Sequence, residues 1–439
     1  MSPFVRQPRR EPIRSLGPDS QDLNSTQFSL RLTRFHTING LSLANLDSSD
    51  SGSDLRLAWK PEQHAQRPMR ILYDHQVFSL QDAGGASRYH FELVRHLQGL
   101  DGVELDVLLG LNASVMPFAS LRQAGTSVLA RATRIKPGLA RYAINELLSS
   151  LAGPLQGKVD VYHPTLYRAL PWVRRRRVVV THHDCIHERF PQLFPDAASI
   201  IAAKRKLFAH ADAIVCVSAS SRSDLLHFYD LAENKTHVVP HGFTPLRLPP
   251  EDSPANGIPE KAAPYLLYVG SRAGYKNFRL LLEAFSRSGL AESYRLRAVG
   301  GGSFSAEERE RIASLGLSGS ITLIPKADDA TLARAYRSAA LFVYPSLYEG
   351  FGFPPLEAMS MGCPVLVNRT SSLPEVCGDA AFYFEASVAE DLSHSLVAAL
   401  GDAEGLAEKR RRGEQQVRLY DWRRSARSTL DVYRTVLTG

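Results

Sequence analysis

From residue 69 onward the chain alternates two patterns. Short apolar runs, bounded by Gly, Pro or Ser, read as buried strands; segments with apolar positions every three or four residues read as helices. Arg70–Asp74 is the first such strand, Gly84–Tyr89 a glycine loop and His90–Leu100 an amphipathic helix. Val103–Leu109, Val159–His163, Val178–Val180 and Ala213–Ser218 repeat the strand signal, and Val238–Gly242 closes this half. Ala130–Leu151 reads as helical with a break near Pro137, Lys204–Asp212 as a basic helix, and Ser220 onward as a helix that serines can cap. The alternation restarts at Tyr265–Gly270 and continues through Arg295–Val299, Ile321–Ile324, Leu341–Tyr344, Val365–Val367 and Ala381–Phe384. Helical patterns lie over 278–285, 332–338, 394–400 and 417–437, and Leu373–Val376 begins another helix. Leu246–Ala263, rich in Pro, Asp and Glu, separates the halves as a linker. Strands alternating with helices predict an α/β fold of parallel sheets, with ligands at the carboxyl ends of the strands.

Residues 1–68 lack this periodicity and carry PRREP and LDSSDSGSD. Such composition predicts a disordered tail, with Arg6, Arg9, Arg10 and Arg14 solvated.

Composition changes this picture little. A chain of 439 residues suits two or three domains. No run approaches the ~18 apolar residues of a membrane span, and Met1–Ser20 has no secretory apolar core. Cys185, Cys216, Cys363 and Cys377 form no CxxC pair and read as buried thiols of a reducing compartment. The net charge of +7 fits an anionic substrate or an anionic membrane surface. Its cations are scattered without interleaved aromatics, which argues against nucleic acid.

Candidate chemistry centres on Tyr344–Pro364, YPSLYEGFGFPPLEAMSMGCP. A strand runs into Glu349-Gly350-Phe351-Gly352, and a helix follows with prolines in its first turn. A helix start favours an anion, and bare glycines let backbone approach a ligand. Glu349 and Glu357, with seven residues between them, would repel a phosphate, so they are expected to accept from hydroxyls. Arg272 and Lys276 follow the Tyr265–Gly270 strand, and two such cations can clamp a diphosphate. The run Gly300–Gly302 suits a second close approach of backbone to ligand. His163 and His183-Asp184 end strands of the first half, where a side chain projects into the crevice. Zinc binding by His182, His183 and His187 is the rival reading, but no further ligands of suitable spacing follow. Asp328-Asp329 precedes a helix and reads as a capping pair rather than a metal motif.

The Glu349–Glu357 stretch resembles the E-x7-E signature of the retaining family 4 glycosyltransferases, whose fold is GT-B: two Rossmann-like domains across a deep interdomain cleft. THHDCIHERFP, the SR…YKN segment and YDHQVFSLQDAGGASRY are also similar to that family; the last resembles bacterial members that build O-antigen and other surface polysaccharides. The resemblance spans nearly all of the chain from Met69. It implies an acceptor-side domain over 69–245 that regains helix 420–439 at Asp421-Trp422-Arg423, and a nucleotide-sugar domain over 262–419. Glu357 would hold the ribose, Glu349 and His183 the transferred sugar, and Arg272 and Lys276 the diphosphate. Gly350, Phe351 and Gly352 would bind donor through backbone N–H groups; Gly84 and Gly85 would approach donor or acceptor, with Asp184 beside the sugar. The implied activity is metal-independent transfer, without a cofactor, from a nucleotide-sugar donor, leaning to GDP-mannose. Its acceptor would be a glycan or lipid-linked molecule, and the protein would be cytoplasmic, in peripheral contact with the anionic cytoplasmic face of the inner membrane. The alternatives are a sugar-nucleotide epimerase, a phosphorylase, for which no cofactor lysine site is visible, and an inactive GT-B scaffold, which would have lost the cations or the Glu pair.

Overall fold

A computed structural model describes residues 67–81, 84–111, 138–152, 158–168, 176–248, 263–272, 274–385 and 388–439. The expected tail up to residue 66, the break near Pro137 and most of the linker lie outside the described residues.

The first sheet holds β1 (Met69–Tyr73), β2 (Val103–Val107), β3 (Val161–His163), β4 (Arg177–His182), β5 (Ala213–Cys216) and β6 (Thr236–Val238). Its order is β2-β1-β3-β4-β5-β6, all parallel. The second sheet holds β7 (Tyr265–Val269), β8 (Arg295–Val299), β9 (Ile321–Ile324), β10 (Leu341–Tyr344), β11 (Val365–Asn368) and β12 (Ala381–Phe384). Its order is β12-β11-β10-β7-β8-β9, again parallel. Helices cover both faces of a parallel sheet, so both faces of its strands must be apolar. That is why β5 and β10 read as unbroken apolar runs and are buried at every position.

In each sheet the chain starts in the middle, runs outward, then returns to the other side of its first strand. The gap left at that reversal is a crevice at the strands' carboxyl ends. It falls between β1 and β3 in the first sheet and between β7 and β10 in the second.

Several elements differ from the sequence expectation. The Gly84–Tyr89 loop is mostly helix, because the helix Gly85–Leu97 begins at its second glycine. The basic helix is longer, Ala197–His210, and Lys204 is buried. Its ammonium lies 3.1 Å from Glu188 and donates to the Asp184 carbonyl at 2.8 Å, so that charge braces a loop instead of facing solvent. The helix expected over 417–437 begins later and runs over Trp422–Thr438, and a further helix, Ala403–Val417, precedes it. Asp421 caps the second by accepting from the Arg424 N–H at 3.0 Å, an alternative to continued helix that Asp offers.

The last helix lies in the first core. Trp422, Leu430 and Tyr433 pack with Tyr73, Tyr89 and Leu93. The Tyr433 hydroxyl meets that of Tyr73 at 2.5 Å and His163 Nδ1 at 2.6 Å, while His163 Nε2 meets the Thr181 hydroxyl at 2.9 Å. His163 is therefore a fully bonded core residue, not the site residue its strand-end position suggests.

A candidate active site at the carboxyl ends of both sheets

The crevice between β7 and β10 brings Lys276 and Glu349 together although 73 residues separate them. Lys276 Nζ donates to Glu349 Oε1 at 2.6 Å and to the Tyr344 hydroxyl at 3.1 Å. Both side chains are nearly buried, at 14% and 13% exposed. Burial disfavours the charge on Lys276, but the Tyr344 oxygen and the Glu349 carboxylate outweigh it and hold its pKa well above the ordinary lysine value. Asn277, next to Lys276, sits at φ 58°, and Ser371, whose hydroxyl accepts from the Glu349 N–H at 2.9 Å, at φ 48°. Left-handed backbone in a residue other than glycine is costly and clusters at functional sites.

Arg272 is placed differently. Its guanidinium donates to the carbonyls of Gly300 at 2.5 Å, Gly302 at 3.1 Å and Ser303 at 2.9 Å, and to Glu308 at 2.7 Å. The glycine run has φ values of 95°, 72° and 72°, and a Cβ on Gly301 would lie 2.7 Å from the Arg272 guanidinium. Gly301 is thus explained by close approach to Arg272, and Gly300 by the Gly270 carbonyl oxygen, 3.1 Å from where its Cβ would lie. Arg272 secures the loop, and Lys276 is the cation that faces Glu349.

The first sheet contributes His183, just past β4. Its Nε2 is buried with no hydrogen-bond partner among the described residues. Such an orphan in a native site calls for a ligand or water. Burial, against the opposing pull of Asp184, lowers its pKa to about 4, so the ring is neutral at pH 7. Asp184 caps the short turn after β4, accepting from the Ile186 N–H at 3.0 Å. His182 is buried, 3.4 Å from the Cys185 sulfur, and His187 packs on Phe194. Among the described residues no group of three or more His, Cys, Asp or Glu is placed to hold a metal ion.

The His183 loop and the Glu349 loop touch. A Cβ built on Gly350 would lie 2.0 Å from the His183 carbonyl oxygen. Gly350 is therefore needed where the two domains meet, rather than for room beside a ligand. The Ser218 hydroxyl donates to the Gly350 carbonyl at 2.8 Å, and the Cys185 N–H to the Tyr348 hydroxyl at 2.9 Å. Glu375 of the second domain accepts from the N–H groups of Ala219 and Ser220 at 2.9 and 3.2 Å. Backbone cannot yield as a side chain does, so Gly350→Ala should cost about 1–3 kcal/mol. Urea unfolding checks this; an unchanged midpoint would mean the loops separate easily.

Phe351 is buried against His241, Phe353 and Tyr420, so only its backbone remains for a ligand. Gly352, at φ 121°, is the helix's N-cap and supplies no side-chain cap. Glu357 lies one turn into that helix, buried, accepting from the Tyr336 hydroxyl at 3.1 Å. Burial raises its pKa above the ordinary glutamate value, while Arg88 pulls the other way. Gly84 has extended backbone, and a Cβ on it would meet only the Gln81 side chain; a Cβ on Gly85 would meet nothing. Asp328 caps its helix, accepting from the Thr331 N–H at 2.7 Å.

The reading of the sequence passed over Asp74, at the other crevice. Its buried carboxylate accepts from the Tyr162 hydroxyl at 2.6 Å, the Thr165 hydroxyl at 2.5 Å, the Thr165 N–H at 3.0 Å and the Gln76 side chain. An Asp directly after the first strand was the available signal.

Residues 83–245 match the family model described as Glycosyltransferase Family 4, and residues 250–418 that described as Glycosyl transferases group 1. The chain is a glycosyltransferase of the GT-B type. It is 29% identical to the O-antigen chain mannosyltransferase B of Escherichia coli over 62% of this chain and 74% of that protein. It is 26% identical to the D-inositol 3-phosphate glycosyltransferase of Nocardia farcinica over 81% and 86%. A sucrose-phosphate synthase from Thermosynechococcus elongatus has the same fold, with TM-score 0.65 and 20% identity over 85% of this chain and all of that one. The family boundary falls between 245 and 250, where the two sheets part. In this glycosyltransferase the Lys276–Glu349 pair and His183 thus come from different domains, on loops that touch at Gly350.

Proposed function

We propose that the enzyme transfers a hexose from a nucleotide sugar to a glycan or lipid-linked acceptor, with retention at the anomeric carbon and without a metal ion. The observation that carries this reading is the nearly buried Lys276–Glu349 pair at the second sheet's crevice, together with the unpartnered His183 Nε2 on the first-domain loop that touches the Glu349 loop at Gly350. As the sugar–phosphate bond breaks, negative charge grows on the leaving nucleoside diphosphate. The Lys276 ammonium stabilises that charge where it develops. Glu349 and His183 hold sugar hydroxyls, and Glu357 accepts from the ribose. Arg272 holds the glycine loop in shape beside the phosphates.

The mannosyltransferases among its relatives favour mannose as the sugar, and the donor we propose is GDP-mannose. Thermal shift against GDP-, UDP- and dTDP-sugars tests this, since the donor stabilises the fold by mass action. Proton NMR of the product then reads the anomeric configuration, and activity in EDTA tests the metal. GDP-mannose giving no shift would overturn that choice of donor, and inverted product would overturn retention.

The enzyme also docks on the anionic face of a membrane in this reading. No helix among the described residues is long and apolar enough to cross one. The helix Gly138–Ala152 exposes Ile144, Leu147 and Leu151, one turn apart along a face. Such a face can lie in the headgroup region. Sedimentation with anionic vesicles, weakening as salt rises, is expected. Salt-insensitive binding, or none, would contradict it.

A further inference from the structure

The acceptor-side domain places one cation on the donor side of the cleft. Arg88 lies in the first turn of the helix Gly85–Leu97. Its guanidinium reaches the second domain, 3.3 Å from Asp329 and 3.7 Å from Glu357. Glu357 is otherwise enclosed: its side chain is 11% exposed, and its carboxylate accepts from the Tyr336 hydroxyl. Arg88 is 38% exposed, so its long side chain can move. The helix that carries it has no side-chain cap and no acidic residue in its first turn, and bare Gly85 beside it faces open space. That corner of the cleft therefore pairs a movable arginine with two carboxylates and has room at Gly85.

We infer that Arg88 guards Glu357 in the nucleotide-free enzyme and passes to the donor's phosphates when the ribose takes Glu357. This rests on Glu357 being the ribose anchor. The ribose hydroxyls donate to the carboxylate that Arg88 releases. The only new anion then within the cleft is the diphosphate, and an arginine fork suits phosphate oxygens. Arg88 would so link the two domains through the donor itself when a nucleotide sugar is present.

The hand-over gives opposite signs for two probes. A nucleoside brings ribose but no phosphate, so it must break the Arg88 contact and gains nothing in return. Arg88→Ala should tighten nucleoside binding, on the order of two- to fivefold, the worth of a part-exposed ion pair. The same variant should weaken binding of the nucleoside diphosphate by roughly ten- to a hundredfold, the worth of charged hydrogen bonds. Isothermal titration of guanosine and GDP reads both, with Arg88→Lys expected to lie between wild type and Ala for GDP. If both affinities fall, Arg88 only supports the fold and the inference is overturned. If both rise, or GDP is unaffected, Arg88 makes no phosphate contact and the hand-over is wrong. Glu357→Ala separates the underlying reading: unchanged guanosine affinity in that variant means the ribose is held elsewhere, whatever Arg88 does. A fall there, with Arg88→Ala neutral for both probes, keeps the ribose anchor and removes Arg88 alone.

Discussion

Lys276→Ala should lower turnover by ~10²–10³, the usual loss for one group that stabilises developing charge. Donor affinity should fall much less, because the ground-state diphosphate is already charged and the added charge appears only as the bond breaks. Lys276 also neutralises Glu349, and both side chains are nearly buried. Removing one partner of a buried pair destabilises by itself. The simple Ala variant therefore confounds folding with chemistry. Lys276→Met combined with Glu349→Gln keeps the volume and leaves no unpaired charge, so its melting temperature should stay near that of wild type. Its turnover should still fall by ~10² or more. Steady-state kinetics on both variants, beside calorimetric donor affinity, makes the comparison. Normal turnover in a folded variant would mean that Lys276 is only half of a structural ion pair.

Stability should drop steeply on acidification between about pH 6.5 and pH 5. Five buried imidazoles, His90, His163, His182, His183 and His241, all have pKa values held below the ordinary histidine value, chiefly by burial. For His163 and His183 the values are about 3 and about 4. Neighbouring rings add to this: His90 is opposed by the charge of His163, His183 and His241. His183–His241 and His90–His183 ring centroids are 5.8 and 5.7 Å apart. Below the unfolded value of 6.5 the unfolded chain takes up protons that the folded chain refuses. Acid thus favours unfolding until the folded pKa is reached, and each unit of depression is worth about 1.4 kcal/mol. Several rings titrate together, so the slope should exceed one proton. Calorimetric melting from pH 7.5 to 5 measures it, in a window above the carboxylates. A flat melting temperature down to pH 5 would mean that these rings reach water or carry protons in the folded protein.

Much of the architecture was legible because parallel strands buried on both faces leave unbroken apolar runs, and each glycine loop marks a strand's carboxyl end. The Glu349 loop and its proline-started helix could be read for the same reason: strand, turn and cap lie within twenty or so residues. What could not be read was made by distance in sequence. The glycine run at 300–302 looks like a ligand loop until Arg272 is found beneath it, 28 residues away. Gly350 looks like a phosphate glycine until the His183 carbonyl appears against it. Arg88 is one cation in an amphipathic helix until the domains meet and set it beside Glu357, 269 positions on. The buried histidines come from four separate stretches, and no local pattern marks them as one cluster. The burial of Lys204 was not legible for a simpler reason: charge in a helix usually means solvent, and here Glu188 within the same domain offsets the cost of burial.

The most direct test of a donor diphosphate at the second sheet's crevice is phosphorus NMR of bound GDP, in wild type and in the Lys276→Met, Glu349→Gln variant. Binding to wild type should shift the β-phosphate resonance, and that shift should be largely lost in the variant when GDP is added to saturation. The same bound shift in both proteins would place the diphosphate away from Lys276 and contradict the account.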